Sequence, residues 1–319
     1  MASFTFEGQT VESKEDESVL DALLRQGIAV QNGCKAGACQ ACLLSSDGPI
    51  PPLAQSGLDD ALVELRAFLS CQSKAMDIES ARRLDESAVP WFESTLTCLE
   101  WASEDVLVVD LEVPGLEAAP GRFVRLRHSD SVVRPYSIAT PAGSPPQLVR
   151  LHVRVIPGGL MSGALVSSRP GDRFEVQGPF GKCQYRSTTG QEPILMIGSG
   201  TGLAPLFAIA TDALGRGHTG PVTLYHGATT SARLYYRDEL RALDQSHANF
   251  NYVPCADHPD SDSDRLGSPL HAALEDRPDL EGTKVYLCGH PELVKGAKKQ
   301  CFLAGANLKD IAADAFEPA

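Results

Sequence analysis

The sequence lacks any apolar run of the roughly 18–20 residues that a membrane-spanning helix needs. Its first ten residues contain no basic stretch followed by an apolar one. These two absences predict a cytoplasmic chain without a signal peptide and without a membrane partner. Positive charge is also scarce, because 28 Lys and Arg stand against 41 Asp and Glu, for a net charge of −13. Nonspecific nucleic-acid binding needs a basic surface, so the composition argues against a nucleic-acid partner.

The cysteines number nine, and an odd count without a predicted secretory signal argues against a disulfide framework. Four of them stand apart, because Cys34, Cys39 and Cys42 follow C-x4-C-x2-C and Cys71 comes later in the chain. This spacing is typical of the [2Fe–2S] site of plant-type ferredoxins, and small residues such as Gly37 would let the backbone wrap closely around a cluster. A zinc site is the alternative, although structural zinc usually uses two C-x2-C pairs.

Three segments of different pattern follow one another, over 1–85, 91–188 and 191–319. In the first, a hairpin around Gly8, a short helix over 18–24 and the cysteine loop precede the polar stretch Ala81–Ser87, which predicts a linker. The second has alternating strands separated by Pro-Gly turns, which predicts a small antiparallel barrel. The third alternates strands and helices, which predicts a parallel α/β sheet.

The second segment carries two motifs with the chemistry of a flavin site. Arg134-Pro135-Tyr136-Ser137 offers a cation for a phosphate, a ring for stacking on an isoalloxazine and a hydroxyl for a hydrogen bond. Further on, the range 158–162 places two glycines before a helix start with a hydroxyl, which predicts an anion site able to hold a pyrophosphate.

The third segment carries the features of a dinucleotide site. The range 198–205, Gly-Ser-Gly-Thr-Gly-Leu-Ala-Pro, follows a buried strand and opens a helix, where backbone amides can hold a pyrophosphate. Cys288 and Gly289 end the last clear strand; Cys288 is alternatively a buried structural thiol, and His290 a turn or capping residue. Phe316, near the end of the sequence, either covers a ring or belongs to the core.

In this order the motifs resemble the ferredoxin–NAD(P) reductase superfamily, and above all the three-module NADH-dependent reductase components of bacterial mono- and dioxygenases. The resemblance implies a multidomain fold: a β-grasp ferredoxin (α+β), an antiparallel β-barrel for FAD and an α/β parallel-sheet nicotinamide domain. It implies Ser137 and Cys288 at the reacting centre and all four spaced cysteines as cluster ligands. The implied cofactor-binding residues are Arg134, Pro135, Tyr136, Ser137, His152, Arg154, Gly159, Met161, Ser162, Gly200, Thr201, Gly202, Arg233, Cys288, Gly289 and Phe316.

The choice between NADH and NADPH is less clear from the residues. After the strand over 222–226, no acidic residue that would accept ribose hydroxyls appears before Asp238. Ser231 and Arg233, with Arg237 nearby, could instead hold a 2′-phosphate, or they are surface residues of a helix start. The family resemblance favours NADH, so the prediction is NADH with NADPH tolerated.

A chain with cluster, flavin and nicotinamide sites is predicted to convert a two-electron donor into single electrons, since flavin can do both kinds of transfer. It contains no oxygenase or dehydratase site, so the terminal acceptor is expected on another chain. The resemblance implies an oxygenase component as that acceptor. The alternatives are a reductase for a non-oxygenase acceptor, such as a deoxysugar dehydratase, and a non-enzymatic redox-sensing iron–sulfur protein.

Overall fold

The computed structural model describes residues 2–32, 35–37, 40–85, 89–129, 132–260 and 264–316, which form three sheets one after another along the chain. The predicted three-module fold is confirmed. The boundaries at 85, 91, 188 and 191 stay a prediction. In the ranges that the structure describes, no helix has both the length and the apolar character that a membrane crossing requires.

The first module is a five-stranded mixed sheet with one helix packed on it. The helix α1 (Val19–Arg25) begins after Ser18, whose hydroxyl accepts the backbone N–H of Asp21, and it buries four apolar side chains against the sheet. A shorter helix, α2 (Asp60–Glu64), follows the cysteine loop. The strands run in the order β2-β1-β5-β3-β4, with β1 Ala2–Phe6, β2 Gln9–Ser13, β3 Leu43–Ser45, β4 Ala67–Leu69 and β5 Ser80–Arg83. The predicted hairpin is confirmed as β1 and β2.

The predicted linker over Ala81–Ser87 is wrong in its first part. Residues Ala81 to Arg83 belong to β5, the central strand, which pairs parallel with β1 and antiparallel with β3. Ala81 is buried, whereas Arg82 and Arg83 are exposed and form ion pairs. One small apolar residue among charged ones gives too weak an alternation to indicate a strand. Glu86 and Ser87 lie outside the described residues.

The second module is a six-stranded antiparallel sheet that curls into a barrel. An isolated bridge joins Ile138, directly after β9, to Leu151 in the middle of β10, which brings the two edge strands together and closes the barrel at that point. Among the described residues of this module, one helix is present, α3 (Leu160–Val166). The strand order is β10-β7-β6-β11-β8-β9, with β6 Trp91–Trp101, β7 Val106–Glu112, β8 Phe123–Ser129, β9 Val132–Ser137, β10 Leu148–Arg154 and β11 Arg173–Phe180.

The third module is a parallel sheet with the order β15-β14-β13-β12-β16-β17. The chain goes from β12 outward to one side and then returns to place β16 on the other side, so the strand order reverses at β12. Ligands of open α/β sheets bind at the carboxyl ends of the strands beside such a reversal. The strands are β12 Ile194–Ser199, β13 Val222–Thr230, β14 Phe250–His258, β15 Arg265–Leu266, β16 Lys284–Gly289 and β17 Ile311–Ala315. The helices are α4 Leu203–Gly215, α5 Arg237–Ser246, α6 Pro269–Asp276 and α7 Pro291–Leu303.

The barrel contacts both other modules. Phe123 and Phe180, whose ring centroids lie 5.6 Å apart, pack against leucines of the first module. On another side, Val106 and Cys183 of the barrel enter the core of the third module. A cavity of about 510 Å³ opens where the three modules meet, and its lining includes Gln40 of the cysteine loop. The cysteine loop and the nicotinamide sheet therefore face one shared space.

Candidate active site and cluster loop

The first module brings Cys42 and Cys71 together from distant positions. Cys42 directly precedes β3 and Cys71 follows β4, and these two strands pair with each other. The two thiols are within hydrogen-bonding reach of each other. The Ser70 hydroxyl donates to the carbonyl of Cys42 at 2.7 Å, and Gln72 Nε2 lies 3.5 Å from Cys71 Sγ. Donors aimed at sulfur are the surroundings that an iron–sulfur cluster requires.

Cys34 and Cys39, the other two predicted ligands, lie outside the described residues, so their positions stay a prediction. Within the described part of the chain, no group of three potential metal ligands is present. Gly37, in the same loop, has a φ of +82° and leaves no room for a side chain, because a Cβ there would lie 2.9 Å from Cγ of Gln72. The loop is therefore tight where a cluster would need a close backbone.

The Arg134–Ser137 motif forms the end of β9, an edge strand of the barrel sheet. Tyr136 is half-buried, and burial raises the pKa of its hydroxyl. The Arg134 guanidinium donates to the carbonyl of its neighbour Val133 at 2.8 Å. Only the bridge at Ile138 joins β9 to β10, so residues 134–137 pair with β8 alone among the described strands and a flat ligand can approach their other flank.

The glycine turn after β10 is closed by its own residues. A Cβ at Gly159 would lie 2.6 Å from Ser162 Oγ and 3.0 Å from the Ile156 carbonyl oxygen, so a side chain there would displace the Ser162 hydroxyl. The Ser162 hydroxyl accepts the N–H of Ile156 at 3.2 Å, and Met161 is buried beneath the turn. The structure thus groups three of the predicted flavin residues in one tight turn, and their contact with the flavin stays a prediction.

His152 and Arg154 lie two residues apart on β10, and both side chains face the third module. The Arg154 side chain faces the third module, where a Cβ at Gly200 would meet its Nη2 at 2.8 Å. His152 is buried, with Nδ1 2.9 Å from the Tyr235 hydroxyl. Burial lowers the pKa of His152 to about 3, so the ring is neutral near pH 7. Its predicted contact with the flavin stays a prediction.

At the carboxyl ends of β12, β16 and β17 lies a region that we call the inner edge of the nicotinamide sheet, defined as residues 199–202, 288–289 and 314. Close backbone contact holds it together. A Cβ at Gly202 would lie 2.3 Å from the carbonyl oxygen of Cys288, and one at Gly289 would lie 2.7 Å from that of Ser199. Gly289 also has a φ of +124°. Glycine is therefore required on both sides, because the loop after β12 touches the end of β16.

Cys288 and His290, at and just after the end of β16, have the structural roles given above as alternatives, a buried thiol and a helix cap. Cys288 is fully buried, with Sγ 4.0 Å from that of Cys183, and burial raises the pKa of its thiol. A buried neutral thiol shapes a pocket and is a poor nucleophile. His290 caps α7, because its Nδ1 accepts the N–H of Glu292 at 3.3 Å.

Asp314 is a site residue that the sequence analysis missed. It lies on β17 directly opposite Cys288 of β16, and its Oδ2 accepts a hydrogen bond from the Ser137 hydroxyl at 3.0 Å. Burial raises the pKa of Asp314 to about 6. Phe316 follows two residues later, and its N–H donates to the carbonyl of Gly289 at 2.9 Å. An acidic residue within the small-residue strand Ile311–Ala315 was the available signal.

Beyond the carboxyl ends of β13 and β14 lies a second region that we call the outer edge of the sheet, defined as residues 231–237 and Asp264. Ion pairs hold it together. Arg233 Nη2 lies 3.0 Å from Glu104 Oε1 of the barrel. Ser231 and Arg237 both contact the Asp264 carboxylate. The three residues predicted as a possible 2′-phosphate site therefore each contact a carboxylate of the protein.

The residues present suit the three groups that the motifs predict. Two apposed thiols suit a thiophilic metal cluster, the open edge strand with Arg134 and Tyr136 suits a flavin, and the glycine loop beside a strand reversal suits a dinucleotide. The hydrogen bond between Ser137 and Asp314 joins the barrel to the nicotinamide sheet, so the residues predicted for the flavin and those predicted for the dinucleotide are in direct contact. Such a chain is, by class, an oxidoreductase that moves electrons away from a nicotinamide.

Comparison with family models gives the same three parts in the same order. The model of the 2Fe-2S iron-sulfur cluster binding domain matches residues 4–76. The model of the oxidoreductase FAD-binding domain matches residues 94–185, and that of the oxidoreductase NAD-binding domain matches residues 196–299.

Individual proteins match over almost the whole chain. The reductase subunit of an aromatic O-demethylase from Amycolatopsis sp. is 32% identical, over 98% of this chain and 97% of that protein. The ferredoxin–NAD(P)(+) reductase component of the naphthalene 1,2-dioxygenase system of Pseudomonas putida is 30% identical, over 94% of each. The crystal structure of the Amycolatopsis cytochrome P450 reductase GcoB is similar with a TM-score of 0.71 and 27% identity, over 100% of this chain and 99% of that one.

The chain belongs to the three-module reductases of the ferredoxin–NAD(P) reductase superfamily. It is an NAD(P)H-dependent oxidoreductase with a [2Fe–2S] cluster and FAD. The alternative of a zinc site is therefore set aside, as is that of a non-enzymatic redox sensor.

Proposed function

We propose that the chain is the reductase component of an oxygenase system, located in the cytoplasm. It takes a hydride from NADH and delivers single electrons to a separate oxygenase protein. The observation that carries this proposal is the nearly full-length similarity to reductase components of an O-demethylase and of a naphthalene dioxygenase system.

The residues divide the binding work between the modules. Arg134 and the turn at Gly159 would hold the phosphates of FAD, and the ring of Tyr136 would stack on the flavin. FAD accepts both electrons of a hydride and releases them one at a time, which connects a nicotinamide to a one-electron cluster. Cys42 and Cys71, with the two cysteines outside the described residues, would hold that cluster.

Asp314, with Ser137, would hold and exchange a proton beside the flavin. A carboxyl with a pKa of about 6 exchanges its proton near neutral pH, and the Ser137 hydroxyl bonded to Oδ2 connects it to the barrel edge strand. Cys288, directly opposite Asp314 in the register of β16 and β17, would exclude water from this contact through its buried thiol.

NADH as the donor is supported by the charges at the outer edge. A 2′-phosphate needs cations and hydroxyl donors that are free to receive it. Ser231, Arg233 and Arg237 already contact carboxylates of the protein. The ribose hydroxyls of NADH require no such cations.

Reconstitution tests the proposal. The purified protein should reduce cytochrome c, a one-electron acceptor, at the expense of NADH, and it should support substrate turnover by the oxygenase component encoded beside its gene. Cytochrome c reduction without turnover by any neighbouring oxygenase would leave the reductase intact and reject an oxygenase as the acceptor.

A further inference from the structure

Three side chains from separate parts of the third module meet at the outer edge. Ser231 lies in the 3-10 turn directly after β13, and Arg237 is the first residue of α5. Asp264 comes from the next connection, directly before β15. Because β13 and β14 pair as far as Thr230 and His258, their carboxyl ends reach the same side of the sheet.

This side of the sheet is also where the glycine loop lies. His226 on β13 donates from Nε2 to the carbonyl of Gly200 at 3.2 Å, which ties the two strand ends together. A dinucleotide whose pyrophosphate rests on that loop extends its adenosine ribose toward the end of the second strand. Ser231 directly follows that strand, so the trio lies where the 2′ position of the ribose is expected.

The Asp264 carboxylate is bound as a phosphate would be. Its Oδ1 and Oδ2 accept two parallel hydrogen bonds from Arg237, at 2.6 and 2.8 Å, and Oδ2 also accepts from the Ser231 hydroxyl at 2.5 Å. The side chain of Asp264 is 0% exposed and that of Arg237 is 19% exposed. A guanidinium fork and a hydroxyl around a buried anion are the donors that also bind a phosphate.

We propose that Asp264 makes this chain select NADH, because its carboxylate occupies the place that the 2′-phosphate of NADPH would need. The inference rests on NADH being the donor, as proposed above, and names the residue responsible. A phosphate entering here would have to displace Asp264 from Arg237 and leave a carboxylate buried without its cation. Breaking a buried pair in this way is strongly unfavourable, and the two anions would also repel each other.

The test compares 2′,5′-ADP with 5′-AMP, two fragments that differ only in the 2′-phosphate. Their dissociation constants are measured by calorimetry on the cofactor-loaded protein, without any electron transfer. The wild type should bind 2′,5′-ADP no more tightly than 5′-AMP. In Asp264→Asn, which keeps the size and removes the charge, relative affinity for 2′,5′-ADP should rise at least about tenfold, a change of about 1.4 kcal/mol. The smaller substitution Asp264→Ser should show the same direction.

Two controls assign the effect to this trio. Asp238→Asn removes an exposed negative charge beside Arg237 without touching the pair, and it should leave the ratio of the two affinities within about twofold. The double variant Asp264→Asn with Arg237→Ala should lose the gain, because the released guanidinium is gone. An equal gain in Asp238→Asn would assign selectivity to general charge and overturn the proposal.

The wild-type measurement needs no folded variant. Tighter binding of 2′,5′-ADP than of 5′-AMP by the unmodified protein would contradict the proposal directly. Folded Asp264 variants with an unchanged ratio would also overturn it, while NADH would stand as the donor. Failure of the oxygenase proposal would appear only in the separate turnover assay.

Discussion

The inner and outer edges of the nicotinamide sheet lie at the carboxyl ends of different strands of one parallel sheet, β12, β16 and β17 for the inner edge and β13 and β14 for the outer edge, and different forces hold them. At the inner edge, glycines let the loop after β12 touch the end of β16, and one half-buried carboxyl, that of Asp314, accepts a hydrogen bond from a hydroxyl. At the outer edge, charged side chains pair with each other. Under the proposals above, backbone fit would determine where a dinucleotide lies, whereas side-chain charge would determine whether NADH or NADPH is preferred.

The largest effect is expected from Gly202→Ala at the inner edge. The added Cβ would lie 2.3 Å from the Cys288 carbonyl oxygen, and because that neighbour is backbone, the loop itself has to move. We expect a loss of stability of about 1–3 kcal/mol, as for other overpacked sites. Nucleotide affinity should fall at least about tenfold, since the pyrophosphate amides move with the loop. Thermal unfolding and calorimetry with NAD⁺ measure the two effects.

Gly296→Ala is the matched control for that substitution. Gly296 lies within α7, and a Cβ there meets nothing within 4 Å. Alanine should stabilise the helix by up to about 1 kcal/mol and leave NAD⁺ affinity unchanged. Similar losses in both variants would mean that the inner edge does not depend on close backbone contact.

Asp314→Asn tests the half-buried acid of the inner edge. The wild-type rate of flavin reduction by NADH should fall as pH rises through about 6, because Asp314 then loses the proton that it holds beside Ser137. Asparagine keeps the size and cannot titrate, so the variant should show a flat profile over the same range. Stopped-flow absorbance between pH 5 and about 8 measures both. An unchanged inflection in the variant would assign the titration to another group.

Asp314→Asn should also stabilise the folded protein above about pH 7. The pKa of Asp314 rises from 3.8 to about 6 on folding, so the folded state holds the proton more tightly than the unfolded state does. This contribution to stability is present below about pH 4 and is lost as pH rises through about 6, in total on the order of 2–3 kcal/mol. Above pH 7, Asp314→Asn should therefore melt at a higher temperature than the wild type.

The sequence allowed the local parts of this molecule to be predicted and missed those assembled from a distance. Cysteine spacing, Arg134–Ser137 and the glycine loop are each continuous, because one turn supplies all of their atoms. Asp314 can be recognised as a site residue only in the folded chain, where β17 pairs with β16 and Ser137 of another module contacts the carboxylate. Asp264 comes to the end of β13 from a later connection, so a search for an acid directly after that strand could not find it.

His226→Phe should have a smaller effect, because His226 lies between the two edges and contributes only one hydrogen bond, to Gly200 of the inner edge. Its ring donates to the Gly200 carbonyl at 3.2 Å and packs edge-on against Tyr235. Phenylalanine keeps the packing and removes the bond, so NAD⁺ affinity should fall about three- to tenfold, for a bond worth about 1 kcal/mol. His218→Phe is the control, since His218 is also buried beside a tyrosine, Tyr185, with no hydrogen bond to the loop. Equal losses of affinity would reject a specific link through Gly200.

Arg233→Ala is expected to have the smallest effect, and it sharpens the contrast within the outer edge. Arg233 and Asp264 both belong to ion pairs there, but Arg233 is 40% exposed and its partner Glu104 is 67% exposed, whereas Asp264 is 0% exposed. An exposed pair contributes about 0–1 kcal/mol and weakens in salt, so the ratio of kcat/KM for NADH and NADPH should change less than about threefold. Glu104→Gln, which leaves Arg233 paired only with Asp105 at 3.6 Å, should raise NADPH use by no more than the same factor. If the wild type instead prefers NADPH by about tenfold and Arg233→Ala removes that preference, Arg233 holds the phosphate and burial does not rank these pairs. If both variants are nearly silent while Asp264→Asn changes the ratio, selectivity lies in the more buried pair of Asp264 with Arg237, because screening by water is weaker there.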